Sequence, residues 1–435
     1  MAESFSATPK SFRAARQGRI LGCCLALVLL TLASGCTMLS VDKRSFYRFD
    51  QPSAVEDEAF RRSLDAFGNS MVGGNRVEIL NNGDAIFPAM TGAIREAKAT
   101  VNLESYIFKN DKAGGIIADA LIAAAQRGIE VRVMVDATGS SRSGALLDRM
   151  RKAGVKAYVF HPIRLWSLYK IGRRTHRKIL VVDGTISFTG GFCIANSWLG
   201  DARNPDEWRD MMVRATGPVS AQMQAIFGED WTYTTGEILA GDKFYPHIEP
   251  AGATLAQGIK VSRGDSSSLA AMLYYVAIES ARKSIHIQNA YFVPDAQIRA
   301  AFIRAARRGV DVRIMVPGRH NDMPLVRMAS RLHYGDLLKG GVHILEYSRT
   351  MMHNKNAVVD GIFSTVGSIN FDARSLLENN EDSLSFYDRD FGAKMEAAFA
   401  EDAKHCREVT WVSWKQRGLE QRLAELVSIF FKPLF

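Results

Sequence analysis

The sequence predicts an α/β protein of two pseudo-symmetric lobes, each a mixed β-sheet flanked by helices, packed around one shared active site. Two observations predict this: a strand–helix–strand pattern occurs twice, and the same short polar motif follows each copy. The length of 435 residues suits two domains, and 47% hydrophobic with 23% charged residues suits a sizeable core. This composition excludes a disordered chain and a membrane protein with many spans.

The first 36 residues have the composition of a membrane-targeting segment. A basic stretch that ends at Arg19 precedes an apolar run over residues 20–33, which is shorter than the roughly 20 residues of a membrane-spanning helix. Small residues before Cys36 resemble the bacterial lipobox, with Ala33 where Leu is usual. We expect a lipoprotein signal with Cys36 as the lipid-attachment site, an uncleaved signal anchor, or an incidental apolar tail. The first two place the protein at the membrane of the bacterial cell envelope.

The net charge and the remaining cysteines are less informative. A formal charge of +9 suits an anionic lipid surface and nucleic acid about equally. Cys193 and Cys406 lack the spacing of a metal site and are predicted to be ordinary buried thiols, with no support for a disulfide between them.

After a polar connector over residues 37–75, the chain repeats one pattern of secondary structure. Each copy has a strand, a helix and a second strand, predicted over residues 99–108, 116–126 and 127–135 and over residues 284–292, 298–306 and 308–316. Gly128 and Gly309 close the two helices, and an alternating strand rich in β-branched residues follows each glycine. The repetition predicts strands packed between helix layers, in lobes at residues 76–245 and 246–435.

The correspondence between the copies continues into polar residues. Both copies contain H-x-K-x4-D-G, and corresponding residues are 177 positions apart (353 − 176 = 177): His176, Lys178 and Asp183 in the first copy, and His353, Lys355 and Asp360 in the second. One such match arises by chance in long proteins, whereas two in register, each followed by a Gly-rich turn and an Asn, are specific.

These residue types point to phosphodiester chemistry. His and Lys two positions apart on a strand lie on the same face, which places an imidazole beside an ammonium group. Two such strands that meet at a pseudo-twofold interface would surround one phosphate, and the lysines would offset charge on its oxygens. Asn196 and Asn370, which follow the Gly-rich turns, are predicted to donate further hydrogen bonds. One histidine would attack phosphorus while the other exchanges protons with the leaving and entering groups.

Each imidazole also needs a carboxylate to fix its tautomer. Asp210 and Glu381 are the candidates, whereas Asp183 and Asp360 are expected to anchor the turn of their own motif through backbone hydrogen bonds. Because the motifs are nearly symmetric, the residues alone do not decide which histidine is the nucleophile.

The paired motifs, together with residues 367–375, resemble the phospholipase D superfamily and, within it, bacterial cardiolipin synthases. The resemblance runs from about residue 76 to the C-terminus and includes Tyr106 and Tyr291. It implies that His176 is the nucleophile that forms a phosphatidyl-histidine and that His353 is the general acid and base. It also implies that the phosphate is held by Lys178, Lys355, Asn196, Asn370 and Ser368. No metal or other cofactor is implied. In the first copy the Asn comes later after the Gly-rich turn than in the second.

The resemblance implies phospholipid substrates and an anionic membrane surface as partners. The leading hypothesis is transfer of a phosphatidyl group from phosphatidylglycerol or phosphatidylethanolamine to the glycerol hydroxyl of phosphatidylglycerol. Hydrolysis to phosphatidic acid, a phosphodiesterase or nuclease activity, and a non-catalytic scaffold are the alternatives. Nucleic-acid binding is not expected, because no basic, aromatic-studded stretch dominates the sequence. The oligomeric state is not predicted.

Two further segments have a mixed apolar and polar character. Residues 162–170 combine bulky apolar and basic side chains, which is typical of a membrane interface or of a partly buried loop. Residues 419–435 are predicted to form an amphipathic helix, docked on the core or on the membrane.

Overall fold

The computed structural model describes residues 47–50, 52–162, 174–262 and 269–428. Residues Phe49–Phe435 form one compact unit; Met1–Arg48 form a second, of which only the last two residues are described. The predicted targeting segment with Cys36 and the mixed segment over residues 163–170 lie outside the described residues. Within the described ranges, no helix combines the length and apolar character needed to cross a bilayer.

The first half of the compact unit contains seven strands and five α-helices among its described residues. The strands are β1 Val72–Asn81, β2 Thr100–Ser105, β3 Glu130–Asp136, β4 Lys156–Phe160, β5 Lys178–Val182, β6 Ile186–Gly190 and β7 Met211–Thr216. The helices are α1 Glu58–Ala66, α2 Asn82–Glu96, α3 Lys112–Gln126, α4 Gly144–Lys152 and α5 Val219–Thr235, with a short 3-10 helix at Asn196–Trp198. Helix α1 lies inside the segment predicted as a polar connector.

The second half repeats this order and adds elements at its end. Its described strands are β8 Thr254–Val261, β9 Ser284–Asn289, β10 Asp311–Pro317, β11 His343–Tyr347, β12 Lys355–Val359, β13 Phe363–Gly367, β14 Glu381–Tyr387 and β15 Cys406–Val409. Its described helices are α6 Leu269–Ser280, α7 Ala296–Arg307, α8 Pro324–Leu332, α9 Tyr334–Lys339, α10 Ala373–Leu377, α11 Arg389–Ala403, α12 Trp411–Lys415 and α13 Leu419–Val427.

The strands of both halves join in one sheet with the order β15-β11-β10-β9-β12-β13-β14-β8-β1-β7-β6-β5-β2-β3-β4. From β8 outward and from β1 outward, corresponding strands follow in the same sequence, so the sheet has a pseudo-twofold axis between β1 and β8. Strands β2, β3 and β4 are parallel, as are β9, β10 and β11, whereas the motif strands β5 and β12 run antiparallel to β2 and β9. Each half is therefore a mixed sheet flanked by helices, which confirms the predicted fold class.

The repeated helices end within one residue of the predicted positions, but α3 begins at Lys112 and α7 at Ala296, which is four and two residues before the predicted starts. The side chains of Asp111 and Asp295 cap α3 and α7 by accepting hydrogen bonds from backbone N–H groups of the first turn. Gly128 and Gly309, with φ of 88° and 92°, follow the two helices in the left-handed conformation that favours glycine. Strand β2 ends at Ser105, three residues before the predicted end.

The two halves share a hydrophobic core and a buried ion pair. Helices α5 and α11, with Phe227 and Phe391, pack into one cluster together with buried residues of β5, β7 and β14. Nη2 of Arg209 lies 2.8 Å from Oδ2 of Asp402, and both side chains are buried. Because removing one member of a buried ion pair leaves an uncompensated charge, this pair ties residues before β7 to the end of α11.

The C-terminal region forms the predicted helix as far as Val427, and residues 429–435 lie outside the described residues. The helix packs against α8, and its buried side chain is Glu425, whose carboxylate lies 3.4 Å from Arg331 of α8 and 2.7 Å from Arg417. Leu423, Leu426 and Val427, expected on its apolar face, are about half exposed. Docking on the core therefore uses the buried carboxylate. Cys193 and Cys406 are free thiols, as predicted; Cys193 is buried, whereas Cys406 is partly exposed.

Candidate active site

The two motif strands lie in corresponding places in the interior of the sheet. Strands β5 and β12 are buried along their whole lengths, and each begins at the motif lysine, with the histidine two residues earlier. The residues before each strand cross to the other half of the molecule. There, the backbone N–H of His176 donates to the carbonyl of Asn380 at 2.8 Å, and that of His353 donates to the carbonyl of Arg209 at 2.7 Å. Each half therefore positions the other half's histidine.

Both histidines line one cavity. Its volume is about 250 Å³, several times the ~30 Å³ that one water occupies in the liquid, which leaves room for a phosphodiester headgroup. Residues of both halves line it, among them Tyr106, Arg174, Trp208, Tyr291, Asn370 and Arg374. The predicted convergence of the two motifs on one site is therefore present in the structure.

His176 is held by a carboxylate from the second half. Its Nδ1 lies 2.8 Å from Oε2 of Glu381, and both side chains are buried. Ser368, predicted to contact phosphate, instead donates its hydroxyl to Glu381, and Asn379 donates to the same carboxylate at 3.3 Å. The ring of Tyr106 packs edge-on against the imidazole, with centroids 4.8 Å apart. With Nδ1 engaged, Nε2 is the nitrogen left for a substrate.

His353 is held in the same way by the first half. Its Nδ1 lies 3.0 Å from Oδ2 of Asp210 and 3.1 Å from the carbonyl oxygen of Gly191. The indole N–H of Trp198 donates to the same carboxylate at 2.8 Å, and the ring of Trp208 lies 5.5 Å from the imidazole. Each histidine thus has its carboxylate in the opposite half, which completes the pseudo-twofold arrangement.

The motif lysines lie beside the histidines with little access to water. Lys178 and Lys355 are 2% and 3% exposed. Each ammonium group donates to the carbonyl of its own motif's histidine, and Nζ of Lys355 also lies 3.1 Å from Nε2 of His353. Burial lowers the pKa of Lys355 to about 8, an effect that the carboxylate of Asp210 partly opposes and the charge of Lys178 reinforces. Buried cations of this kind favour an anion at the site.

The same burial keeps both imidazoles neutral before an anion binds. Burial lowers the pKa of His176, and the charges of Lys178 and Lys355 lower it further. Burial and Lys355 likewise lower the pKa of His353. Burial raises the pKa of Glu381 to about 7. His176 therefore has the unprotonated nitrogen that a nucleophile requires, next to a carboxyl group that titrates near neutrality.

The motif aspartates lie at turns away from the cavity. Asp183 and Asp360 have φ of 52° and 53°, and a glycine with positive φ follows each, as in a tight two-residue hairpin turn. Their carboxylates accept backbone N–H groups of residues 98–100 and 282–284. The sequence predicts that they anchor their own turns; instead they tie the motif hairpin to the start of the adjacent strand, β2 or β9. The two aspartates therefore fix the position of the motif strands and do not contact a substrate.

The expectation for Asn196 is wrong. Its side chain is exposed, and its Oδ1 accepts the backbone N–H of Ala113 at 3.0 Å, near the start of α3. The cavity is lined instead by Cys193, which lies 177 residues before Asn370, the offset of the two motifs. The offset of 177 residues also relates Gly190 and Gly367, the last residues of β6 and β13, so the position after the strand, not the residue type, decides which side chain reaches the cavity.

Several residues of the site were not predicted. Arg174, Trp208 and Arg374 line the cavity, and Trp198 packs beside His353. Asp382 accepts the backbone N–H of Lys178 at 3.0 Å. The position of Asp382 next to Glu381 is the sequence feature that could have identified it. Arg174 and Arg374 belong to no motif that would identify them. Among the described residues, no group of three or more His, Cys, Asp or Glu side chains is arranged to hold a metal ion.

Comparison with known proteins identifies the repeat. A family profile described as cardiolipin synthase, PLD-like domain, matches residues 90–231 and again residues 274–403. The chain is 34% identical over 359 residues to a probable cardiolipin synthase, YwiE, of Bacillus subtilis, covering 82% of this chain and 72% of the relative. It is 36% identical over 365 residues to a cardiolipin synthase of a Geobacillus species, with the same coverage of 82% and 72%.

A solved structure agrees on the fold. A phosphatidylserine synthase of Haemophilus influenzae superposes with a TM-score of 0.65, covering 86% of this chain and 97% of its own, at 15% sequence identity. At that identity the similarity concerns the fold alone.

Proposed function

The chain belongs to the cardiolipin synthase family of proteins with phospholipase D-like domains, and we propose that it is a phosphatidyltransferase that makes cardiolipin. The donor is phosphatidylglycerol or phosphatidylethanolamine, and the acceptor is the glycerol hydroxyl of phosphatidylglycerol. One observation carries the proposal: two imidazoles from different halves line one cavity, each with a buried lysine and a carboxylate from the opposite half.

In the first half-reaction, Nε2 of His176 attacks the phosphorus of the donor. The bond from phosphorus to the headgroup oxygen breaks, and His353 gives that oxygen its proton, so that glycerol or ethanolamine leaves. The carboxylate of Asp210 raises the pKa of His353. The negative charge of a bound phosphate raises it further, so that His353 carries the proton that it donates. The product is a phosphatidyl-histidine whose Nδ1–H donates to Glu381.

The second half-reaction reverses these roles. His353 takes the proton of the acceptor hydroxyl as its oxygen bonds to phosphorus, and the bond from phosphorus to His176 breaks. Lys178 and Lys355 offset the charge on the non-bridging oxygens in both steps. Asn370, which lines the cavity, contacts the same phosphate.

The proposal extends to the membrane. The N-terminal 36 residues attach the protein to the membrane of the cell envelope, either through acylation of Cys36 or as a signal anchor. The support is the basic flank, the apolar run and the small residues before the cysteine. An anionic bilayer surface then presents substrate to a chain with an excess of positive charge.

A product assay tests the function. Full-length protein in vesicles of phosphatidylglycerol is expected to make a lipid with four acyl chains and to release glycerol; a second set of vesicles with phosphatidylethanolamine tests the other donor. Phosphatidic acid as the sole lipid product would instead assign hydrolysis. Cleavage of an oligonucleotide, with no lipid product, would assign a nuclease.

The dependence of kcat/KM on pH is expected to be a narrow bell. Glu381 is ionised above its pKa of about 7, so activity rises through that value. On the alkaline side, His353 loses the proton that it donates to the leaving group, and Lys355 loses its positive charge above about pH 8, so phosphate binding weakens there. Because bound phosphate favours the charged lysine, the alkaline limb of kcat lies at higher pH than that of kcat/KM. A kcat/KM profile that stays flat above about pH 8 would contradict this assignment of Lys355.

A further inference from the structure

Two arginines lie in the cavity near His176. Arg174 precedes the motif histidine by two residues, and Arg374 lies in helix α10 of the other half. Nη1 of Arg174 donates to the hydroxyl of Tyr106 at 3.0 Å, whereas its Nε is buried with no hydrogen-bond partner among the described residues. A guanidinium group at the wall of a cavity carries a fixed positive charge and several N–H donors in one plane, which suits it to bind an anion.

The charges of the two arginines act on each other across this space. After burial, the charge of Arg174 is the largest influence that lowers the pKa of Arg374. Nearby acidic groups oppose it: Asp372 and Glu378 act on Arg374. Asp136 interacts with Arg174, but it also accepts three backbone N–H groups. Two cations directed to one cavity are stabilised when an anion binds between them.

The repeat shows that these cations are not part of the duplicated phosphate site. The offset of 177 residues that relates the two motifs places Met351 at the position of Arg174. Arg374 lies in the connection between β13 and β14, residues 368–380, which is shorter than the connection between β6 and β7, residues 191–210. The longer connection contributes Cys193, Trp198 and Trp208 to the cavity, and no arginine. The other end of the cavity, around His353, has Trp208 instead. A phosphate on the pseudo-twofold axis is bound by the groups that occur in both halves, the motif histidines and lysines. Arg174 and Arg374 lie at one end of the cavity without counterparts at the other end, so they are suited to a second anion that binds at that end alone.

We propose that Arg174 and Arg374 form a second anion subsite, which binds the phosphodiester of the acceptor lipid while the reacting phosphate lies between the histidines. This subsite rests on the proposed function. In cardiolipin the two phosphates are joined through one glycerol, so the acceptor's own phosphate lies one glycerol away from the phosphorus that its hydroxyl attacks. An acceptor held at both ends is oriented for attack, whereas water and free glycerol gain nothing from the subsite.

The experiment compares products that arise from one covalent intermediate. Vesicles of acyl-labelled phosphatidylglycerol are incubated with isotopically labelled free glycerol. Transfer to phosphatidylglycerol gives cardiolipin, transfer to free glycerol gives headgroup-labelled phosphatidylglycerol, and transfer to water gives phosphatidic acid. The ratio of cardiolipin to the other two products depends only on the acceptor step, because all three follow the same phosphatidyl-histidine.

Arg174→Gln and Arg374→Gln are each expected to lower this ratio by about tenfold, as expected for loss of a hydrogen-bonding cation. Arg174→Lys keeps the charge without the guanidinium fork and is expected to give an intermediate ratio. Arg142→Gln, at an exposed arginine that is not among the residues lining the cavity, is the matched control and should leave the ratio unchanged.

The outcomes separate this inference from the function on which it rests. If wild-type protein makes cardiolipin and all three products of both glutamine variants fall in the same proportion, the subsite is refuted and the synthase remains. If wild-type protein makes only phosphatidic acid, the proposed function itself fails. Since the two arginines come from different halves, misfolding of one variant leaves the other to decide.

Discussion

Replacing His176 with alanine is expected to lower the rate of cardiolipin formation by about 10⁴-fold or more, which is the typical cost of removing a catalytic nucleophile. The loss follows because Nε2 of His176 is the atom proposed to bond to phosphorus, while His353 is proposed to exchange protons with the leaving and entering groups. Product formation in phosphatidylglycerol vesicles measures it. His247→Ala is the matched control, because this histidine is 89% exposed and pairs with the nearby Glu249.

A donor with a better leaving group separates the two histidines. Nitrophenolate leaves without a proton, so a nitrophenyl ester of phosphatidic acid should restore much of the first half-reaction to His353→Ala but none of it to His176→Ala. Quenching the wild-type reaction and mapping the labelled peptide should locate the lipid on residue 176. Label on His353, together with the opposite pattern of rescue, would exchange the two roles and leave the reaction unchanged.

The fold could be predicted because its signals are local. Period-two alternation, the glycines after α3 and α7, and the constant offset between His176 and His353 each depend on residues close together in one copy or on simple comparison of the copies. The joining of both halves through β1 and β8 has no such signal, because it depends on how two strand edges far apart in sequence meet. The same holds for the pair of Arg209 with Asp402, whose partners are separated by 193 residues.

The active site was predictable in part for the same reason. The histidines and lysines follow from the motif, and Asp210 and Glu381 were found as candidates, but the crossing of each carboxylate to the opposite half appears only in three dimensions. Residue type favours Asn196, although the offset of 177 residues points to Cys193 as the counterpart of Asn370. Position within the repeat is therefore the better guide at this turn. It gives no help with Arg174, because the corresponding position in the other copy is not an arginine.

Replacing Glu381 with glutamine is expected to lower kcat by about 10³-fold or more, of the order seen when the carboxylate that orients a catalytic histidine becomes an amide. The amide keeps the size of the side chain, but its NH₂ group can donate to Nδ1 of His176 and so favour the wrong tautomer. Asp210→Asn should act in the same way on His353. Glu401→Gln, at an exposed glutamate that pairs with Lys404, is the matched control.

The pH profile distinguishes this positioning role from a merely structural one. Burial raises the pKa of Glu381 to about 7, and its ionised form is the one that can accept the proton on Nδ1 of a phosphatidyl-histidine. The wild-type rate therefore rises as pH increases through about 7. Glu381→Gln removes this titration, so the acid limb of the profile should move to lower pH, toward the lowered pKa of His176. The alkaline limb near pH 8, which arises from Lys355, should stay where it is. An unchanged acid limb in this variant, or a kcat within about tenfold of wild type, would show that the carboxylate neither titrates in the reaction nor fixes the nucleophile.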